Sequence, residues 1–154
     1  MPIERGKIRE YARATAAARP AYVEATNPPV PPTFLATVVF WEDLTQVFTA
    51  PELIDELSRL GMVFDVQNLL SLEQEYVFHG PLPRAGEELR TEVALRDVTP
   101  TPTRRGSMAR VRFAVEFRDP DGRLRAECLY TSGIFTTHDE TGHDETGHDE
   151  GSAE

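Results

Sequence analysis

Imidazole and thiol chemistry in this chain rests on four histidines and one cysteine. Three of the histidines, His138, His143 and His148, open repeats of His-Asp-Glu near the C-terminus. With their neighbouring carboxylates they could bind a divalent metal weakly. A metal site also needs surrounding groups that hold its ligands in place, and this segment has only Ala153 to bury. The stretch is therefore expected to be a disordered acidic tail. The fourth histidine, His79, shares its parity with Glu73 and Glu75 on a stretch that alternates polar and apolar residues. Carboxylates two apart on a strand share one face and could work as an acid and base pair. A solvated strand face is the commoner outcome for the same pattern. Cys128 falls on the apolar parity of its stretch, as expected of a core thiol. No phosphate loop, zinc spacing or nucleophile elbow is present.

The elements that must position these residues come in a clear order. Residues 4–17 have a helical period, with Ile8, Tyr11, Ala12 and Thr15 on one side and Arg5, Arg9 and Arg13 on the other. Residues 20–32 predict a loop, stiffened by prolines at 28, 29, 31 and 32. Residues 33–41 are apolar nearly all round, which predicts a short buried helix with Thr33 as its N-cap. Thr49-Ala50-Pro51-Glu52 has the form of a capping box ahead of the stripe Leu53, Ile54, Leu57 and Leu60, and Gly61 ends that helix.

From Leu70 the period changes to two. Four strands are predicted, over 70–79, 89–96, 110–118 and 123–130. Residues 81–86 and Asp119-Pro120-Asp121-Gly122 are turn sequences, and the second closes a hairpin. Residues 100–106 predict a longer loop. Helices first and an antiparallel meander afterwards make an α+β fold, with residues 33–41 as the cover for one sheet face. A sheet wrapped round one buried helix is the hot-dog arrangement. The expected organisation is one domain over residues 1–136 and the tail over 137–154.

Composition narrows the partners. The net charge is −10, but seven acids and no Lys or Arg fall after residue 137, which leaves −3 on the body. A body without a basic stripe argues against nucleic acid. No run is long and apolar enough to span a bilayer, no secretory signal pattern opens the chain, and the lone cysteine suits a reducing compartment. The expectation is a cytoplasmic protein with no membrane partner.

Several stretches carry a family resemblance. Residues 7–14 (Lys-Ile-Arg-Glu-Tyr-Ala-Arg-Ala), 31–35 (Pro-Pro-Thr-Phe-Leu) and 73–89 (Glu-Gln-Glu-Tyr-Val-Phe-His-Gly-Pro-Leu-Pro-Arg-Ala-Gly-Glu-Glu-Leu) resemble the MaoC-like, FAS1-like (fatty-acid-synthase-type) dehydratase N-terminal domain. Within that family they resemble the non-catalytic subunits of actinobacterial (3R)-hydroxyacyl-ACP dehydratases. The likeness runs from Met1 to Phe135, and its most specific part is His79-x-Pro81-Leu82-x-x-Ala85-Gly86.

One departure changes what the resemblance implies. Catalytic members resemble Gly-Asp-x-Asn-Pro-x-His after the opening helix, and their Asp and His handle the water and the α-proton of an acyl thioester. The matching residues here are Ala16-Ala17-Ala18-Arg19-Pro20-Ala21-Tyr22. Ala17 replaces the Asp and Tyr22 the His, and no Asp or His occurs from Glu10 to Glu42. Alanine exchanges no proton, and a phenol is a poor base at neutral pH. The resemblance thus implies a subunit with no catalytic pair of its own. Pro32, Thr33 and Phe34 would line the substrate path, with no metal or other cofactor. Its partners would be a catalytic MaoC-type hot-dog subunit and an acyl-ACP or acyl-CoA. Two alternatives stay open. One is an independent hot-dog enzyme, such as a thioesterase or dehydratase using His79 or a carboxylate among Asp65, Glu73 and Glu75. The other is a homodimeric acyl-thioester binding module.

Overall fold

A computed structural model of the chain describes residues 1–104 and 106–135. The tail expected over 137–154 and its histidines lie outside the described residues. Helix α1 is Arg5–Ala14, and a one-turn helix α2 follows at Pro20–Val23. Two 3-10 helices, Phe34–Phe40 and Leu44–Thr49, lead into α3 at Pro51–Arg59. After a 3-10 turn at Val66–Asn68 come the strands β1 (Leu69–Phe78), β2 (Arg90–Thr103), β3 (Gly106–Arg118) and β4 (Leu124–Phe135). They form one antiparallel sheet in the order β1-β4-β3-β2.

Alternation along the strands decides the two faces. Val111, Phe113, Val115 and Phe117 of β3 join Ala126, Cys128, Tyr130 and Ile134 of β4 in the core. Phe34, Leu35, Val38, Leu53 and Leu57 cover that face from the helical side. Phe113 stacks on Tyr130 with ring centroids 4.9 Å apart, and Phe48 meets Phe113 edge-on at 5.7 Å. The neighbouring parity, including Glu73, Glu75, Arg110, Arg112 and Glu127, lies on the opposite face. Cys128 is fully buried as expected, and desolvation pushes its thiol above the ordinary range.

The structure corrects several sequence expectations. The loop over 20–32 contains α2, because Pro20 at the first helical position loses no backbone bond there. No capping box forms before α3. Ala50 is the N-cap, and the Thr49 hydroxyl donates instead to the Gln46 carbonyl at 3.1 Å. The loop over 100–106 is instead a hairpin, with Thr103 opposite Gly106. Pro100 and Pro102 are tolerated because β2 is an edge strand, where alternate amides face away from the sheet. Bulges at Leu72 and Arg96, between Ser71/Glu73 and Leu95/Asp97, interrupt the predicted alternation.

The largest correction concerns residues 33–41. The segment is a 3-10 helix that buries Phe34, Leu35 and Val38 on one side. Val39, Phe40 and Trp41 are 52%, 82% and 49% exposed. A core supplies one apolar surface to each covering element, so a segment apolar all round keeps an uncovered side in the single chain.

Candidate functional site

The turn signature at 81–86 ties down the loop that leads into the first 3-10 helix. Val30 donates its amide to the Pro83 carbonyl at 2.8 Å, and Ala85 donates to Pro28 at 3.0 Å. The Arg84 guanidinium reaches the Asn27 carbonyl at 2.6 Å. Gly86, at φ 89°, turns the chain so that its amide bonds the Ile3 carbonyl at 2.8 Å. The loop before the 3-10 helix is thereby tied to both the N-terminus and the sheet.

Helix α1 ends against this loop in a Schellman motif. Ala17 donates to Ala12 at 2.7 Å and Ala16 to Arg13 at 3.2 Å. Ala16 takes φ 55°, the left-handed conformation that favours glycine. A Cβ there costs roughly 1–2 kcal/mol, partly offset by the greater unfolded-state freedom of glycine. Ala16→Gly is therefore expected to stabilise the fold by about 0.5–1 kcal/mol. A rise of a few degrees in melting temperature would show it, and a fall would mean that the turn is not strained.

Residues 15–19, Tyr22 and residues 31–33 line an open depression of ≈ 590 Å³. The two motif positions Ala17 and Tyr22 thus come together with Pro32 and Thr33. Phe34 does not join them. It is 1% exposed and forms the floor of a separate apolar groove of ≈ 420 Å³ with Tyr11, Ala14, Phe40 and Trp41. Tyr11 stands at the boundary of the two cavities. Its ring meets Phe34 edge-on at 5.5 Å, and its hydroxyl donates to the Thr33 carbonyl at 2.9 Å. No Asp, Glu or His lines the depression. None of its side chains is an ordinary general acid or base.

The other candidates lie elsewhere. His79 Nε2 is 2.6 Å from Glu127 Oε2, at the end of β1 on the opposite sheet face. None of β1–β4 contributes to the depression, so His79 and Glu75 share no cavity with Ala17 or Tyr22. Asp65 accepts the Gln67 amide at 2.9 Å and caps a 3-10 turn. Glu73 and Glu75 line a trench on the outer face together with Arg96, Arg110 and Arg112. Among the described residues no cluster of three or more His, Cys, Asp or Glu could hold a metal.

Sequence reading missed the ion-pair ladder on that outer face. Glu127 bonds His79 and lies 3.3 Å from Arg96, which reaches Glu116 at 2.9 Å, and Glu116 also pairs with Arg118 at 2.5 Å. Arg96 enters the ladder from the β2 bulge, which strand periodicity cannot reveal. The Arg118 hydrogen bond, aided by Arg96, holds the Glu116 carboxyl below its ordinary range. A lowered folded pKa gives stability that is present above the unfolded value, about 4.5, and lost as pH falls through the folded one. Glu116→Gln is expected to flatten the acid side of the melting curve. Melting temperature measured from about pH 5 down to about pH 3 should fall less steeply than for the unaltered chain; equal slopes would deny the pairing.

Among the described residues no helix is long and apolar enough to cross a membrane. A comparison with curated proteins finds no match. Solved structures do resemble this one. A chain of the HadBC (3R-hydroxyacyl-ACP dehydratase) complex from Mycobacterium tuberculosis matches at TM-score 0.60 and 23% identity, over 86% of this chain and 88% of that one. A chain of the ChsH1-ChsH2 complex from the same organism matches at 0.62 and 18%, over 88% and 84%. A MaoC-like dehydratase matches at 0.66 and 20%, over 88% of this chain and 39% of the larger one. These likenesses establish the expected α+β hot-dog fold. The model of the FAS1-like dehydratase domain region matches residues 1–127. An antiparallel sheet covered by the apolar 3-10 segment and α3, matched by that family model over most of its length, is a member of the FAS1-like, MaoC-like dehydratase domain family.

Proposed function

We propose that this chain is the non-catalytic subunit of a (3R)-hydroxyacyl-thioester dehydratase or hydratase, working with a catalytic hot-dog partner. One observation carries the reading: the depression that holds the motif positions presents Ala17 and Tyr22, with no carboxylate or imidazole beside them. The strained Ala16 supports the residue-by-residue match. It adopts a glycine conformation at the place where the catalytic motif has glycine.

Reversible hydration of a trans-2-enoyl thioester needs a base to take a proton from water as oxygen bonds C3, and an acid to protonate C2. On this reading the partner supplies both groups. Pro32 and Thr33 bound the acyl thioester, and Phe34 backs the neighbouring apolar groove. The thioester is carried by an acyl-carrier protein or coenzyme A, and no metal or redox cofactor takes part.

Two surfaces support a protein partner. Val39, Phe40 and Trp41 form an exposed apolar ridge, the kind of patch that marks an interface. The β1 edge is free of proline, and residues 70–75 are exposed on both faces, so a second sheet could continue it. The matched HadBC and ChsH1-ChsH2 structures are complexes by name.

The test is co-purification with mass spectrometry, followed by an enoyl-thioester absorbance assay. The chain alone should show no hydration above background, and activity should appear with the co-purified subunit. Robust turnover by the chain alone would overturn the reading.

A further inference from the structure

The outer sheet face has a charge order that its strand order creates. Glu73 and Glu75 line one wall of a ≈ 350 Å³ trench, on β1. Arg110 and Arg112 line the other wall, on β3. Leu129 and Thr131 of β4 form the floor between them. The register puts Glu73, Thr131 and Arg112 in one row across the sheet. Neighbouring strands are about 4.8 Å apart, so the two walls stand about 10 Å from each other. Opposite charges therefore face across the floor without meeting. Among the described residues Glu73, Glu75 and Arg110 make no hydrogen bond or close ion pair, and Arg110 lies near enough to Asp97 to help hold that carboxyl below its ordinary range. Arg112 gives two of its five N–H groups to Asp97, at 2.7 Å and 2.5 Å, and keeps the rest.

The Glu73–Thr131–Arg112 row is antisymmetric about β4. Turning a second copy by half a turn about an axis along β4, and laying it face to face, brings each Glu73 over the other copy's Arg112. Glu75 and Arg110 fall one row to either side, and Thr131 and Leu129 on the axis meet their own copies. Glu127 also lies on the axis, where it is already bonded to His79 at 2.6 Å and paired with Arg96 at 3.3 Å. Packed sheets stand about 10 Å apart, a gap that opposed Glu and Arg side chains together span.

We propose that the outer sheet face is a self-association surface whose occupant is a second copy of this chain, held by reciprocal Glu73–Arg112 contacts with Glu75 and Arg110 in support. The proposal is independent of the depression and of the dehydratase reading. The contact is charged and exposed, so it is weak and sensitive to salt.

The experiment is sedimentation velocity of the full chain across a concentration series, at about 0.05 M and about 0.5 M salt. Association at low salt should weaken at least about tenfold at high salt. Glu73→Arg with Glu75→Arg should abolish it, and so should Arg110→Glu with Arg112→Glu. An equimolar mixture of the two variants should associate again, because each wall then meets its opposite. Thermal melts confirm that each variant is folded; Glu73→Gln with Glu75→Gln, or Arg110→Gln with Arg112→Gln, replaces the reversal of that wall if it is not, and should likewise abolish association. Three outcomes would overturn the proposal: no association at low salt, variants that associate like the unaltered chain, or a mixture that stays apart. Binding of inorganic phosphate at Arg110 and Arg112 without self-association would overturn it in favour of an anion site.

Discussion

Phe34→Ala is expected to lower the stability of the isolated chain by about 3–5 kcal/mol. The ring is 1% exposed, lies in the main core cluster, and meets Tyr11 edge-on at 5.5 Å. Truncation removes the transfer free energy of the ring, leaves a cavity that the sheet cannot collapse to fill, and loses the aromatic pair. Six residues on, Phe40→Ala should change the same measurement by less than about 0.5 kcal/mol, because that ring is 82% exposed. Denaturant titration of both variants checks the pair. Comparable losses would show that the segment is buried all round after all, and a Phe34→Ala loss below about 1 kcal/mol would place that ring outside the core. On the proposed subunit reading the ranking changes on assembly. If the partner covers the ridge, Phe40→Ala should weaken assembly while leaving the fold of the isolated chain intact.

The second large effect follows from the proposed subunit reading and concerns the chemistry of the enzyme that reading assembles. Replacing the partner's general base or acid should cost the complex about 10²–10⁴-fold in hydration rate. In this chain, His79→Ala and Glu75→Gln should leave the rate within about twofold, because neither side chain shares a cavity with the motif positions. Ala17→Asp combined with Tyr22→His should not make the isolated chain active. A catalytic pair must be held to about 0.5 Å by its supporting groups, and the depression is an open one lined by alanines, prolines, two threonines, Arg19 and a partly exposed tyrosine. Enoyl-thioester absorbance on each variant, alone and in complex, decides the matter. Turnover by the isolated chain that disappears in His79→Ala or Glu75→Gln would replace the subunit reading with that of an independent enzyme.

Much of the fold was legible in the residues because it depends on local patterns. Strand alternation placed Val111, Phe113, Val115 and Phe117 on one face and Arg110 and Arg112 on the other, and the structure agrees. Cys128 followed the same parity into the core. The lack of Asp or His from Glu10 to Glu42 is a property of composition, which no packing can alter. Turn chemistry at 119–122 named its hairpin because Asp119 accepts the amides of Asp121 and Arg123, a bond set that needs only neighbours in sequence.

What local pattern could not decide was which distant strands and surfaces meet. The capping box failed because Thr49 belongs to the preceding 3-10 helix, a competition visible only when both elements are present. The bulges at Leu72 and Arg96 come from pairing with β4 and β3, so each strand read alone looks regular. An all-apolar run at 33–41 states that every side wants cover; only tertiary packing shows that the chain covers one side and leaves Val39, Phe40 and Trp41 outside. Likewise, Glu73 and Arg112 are 39 positions apart in sequence and become members of one row only because β4 inserts between β1 and β3. The residues by themselves determined which faces are apolar and that no Asp or His stands between Glu10 and Glu42. The fold decided which charges stand opposite one another and which apolar surface remains open, because those depend on strand order and on the area one small core can cover.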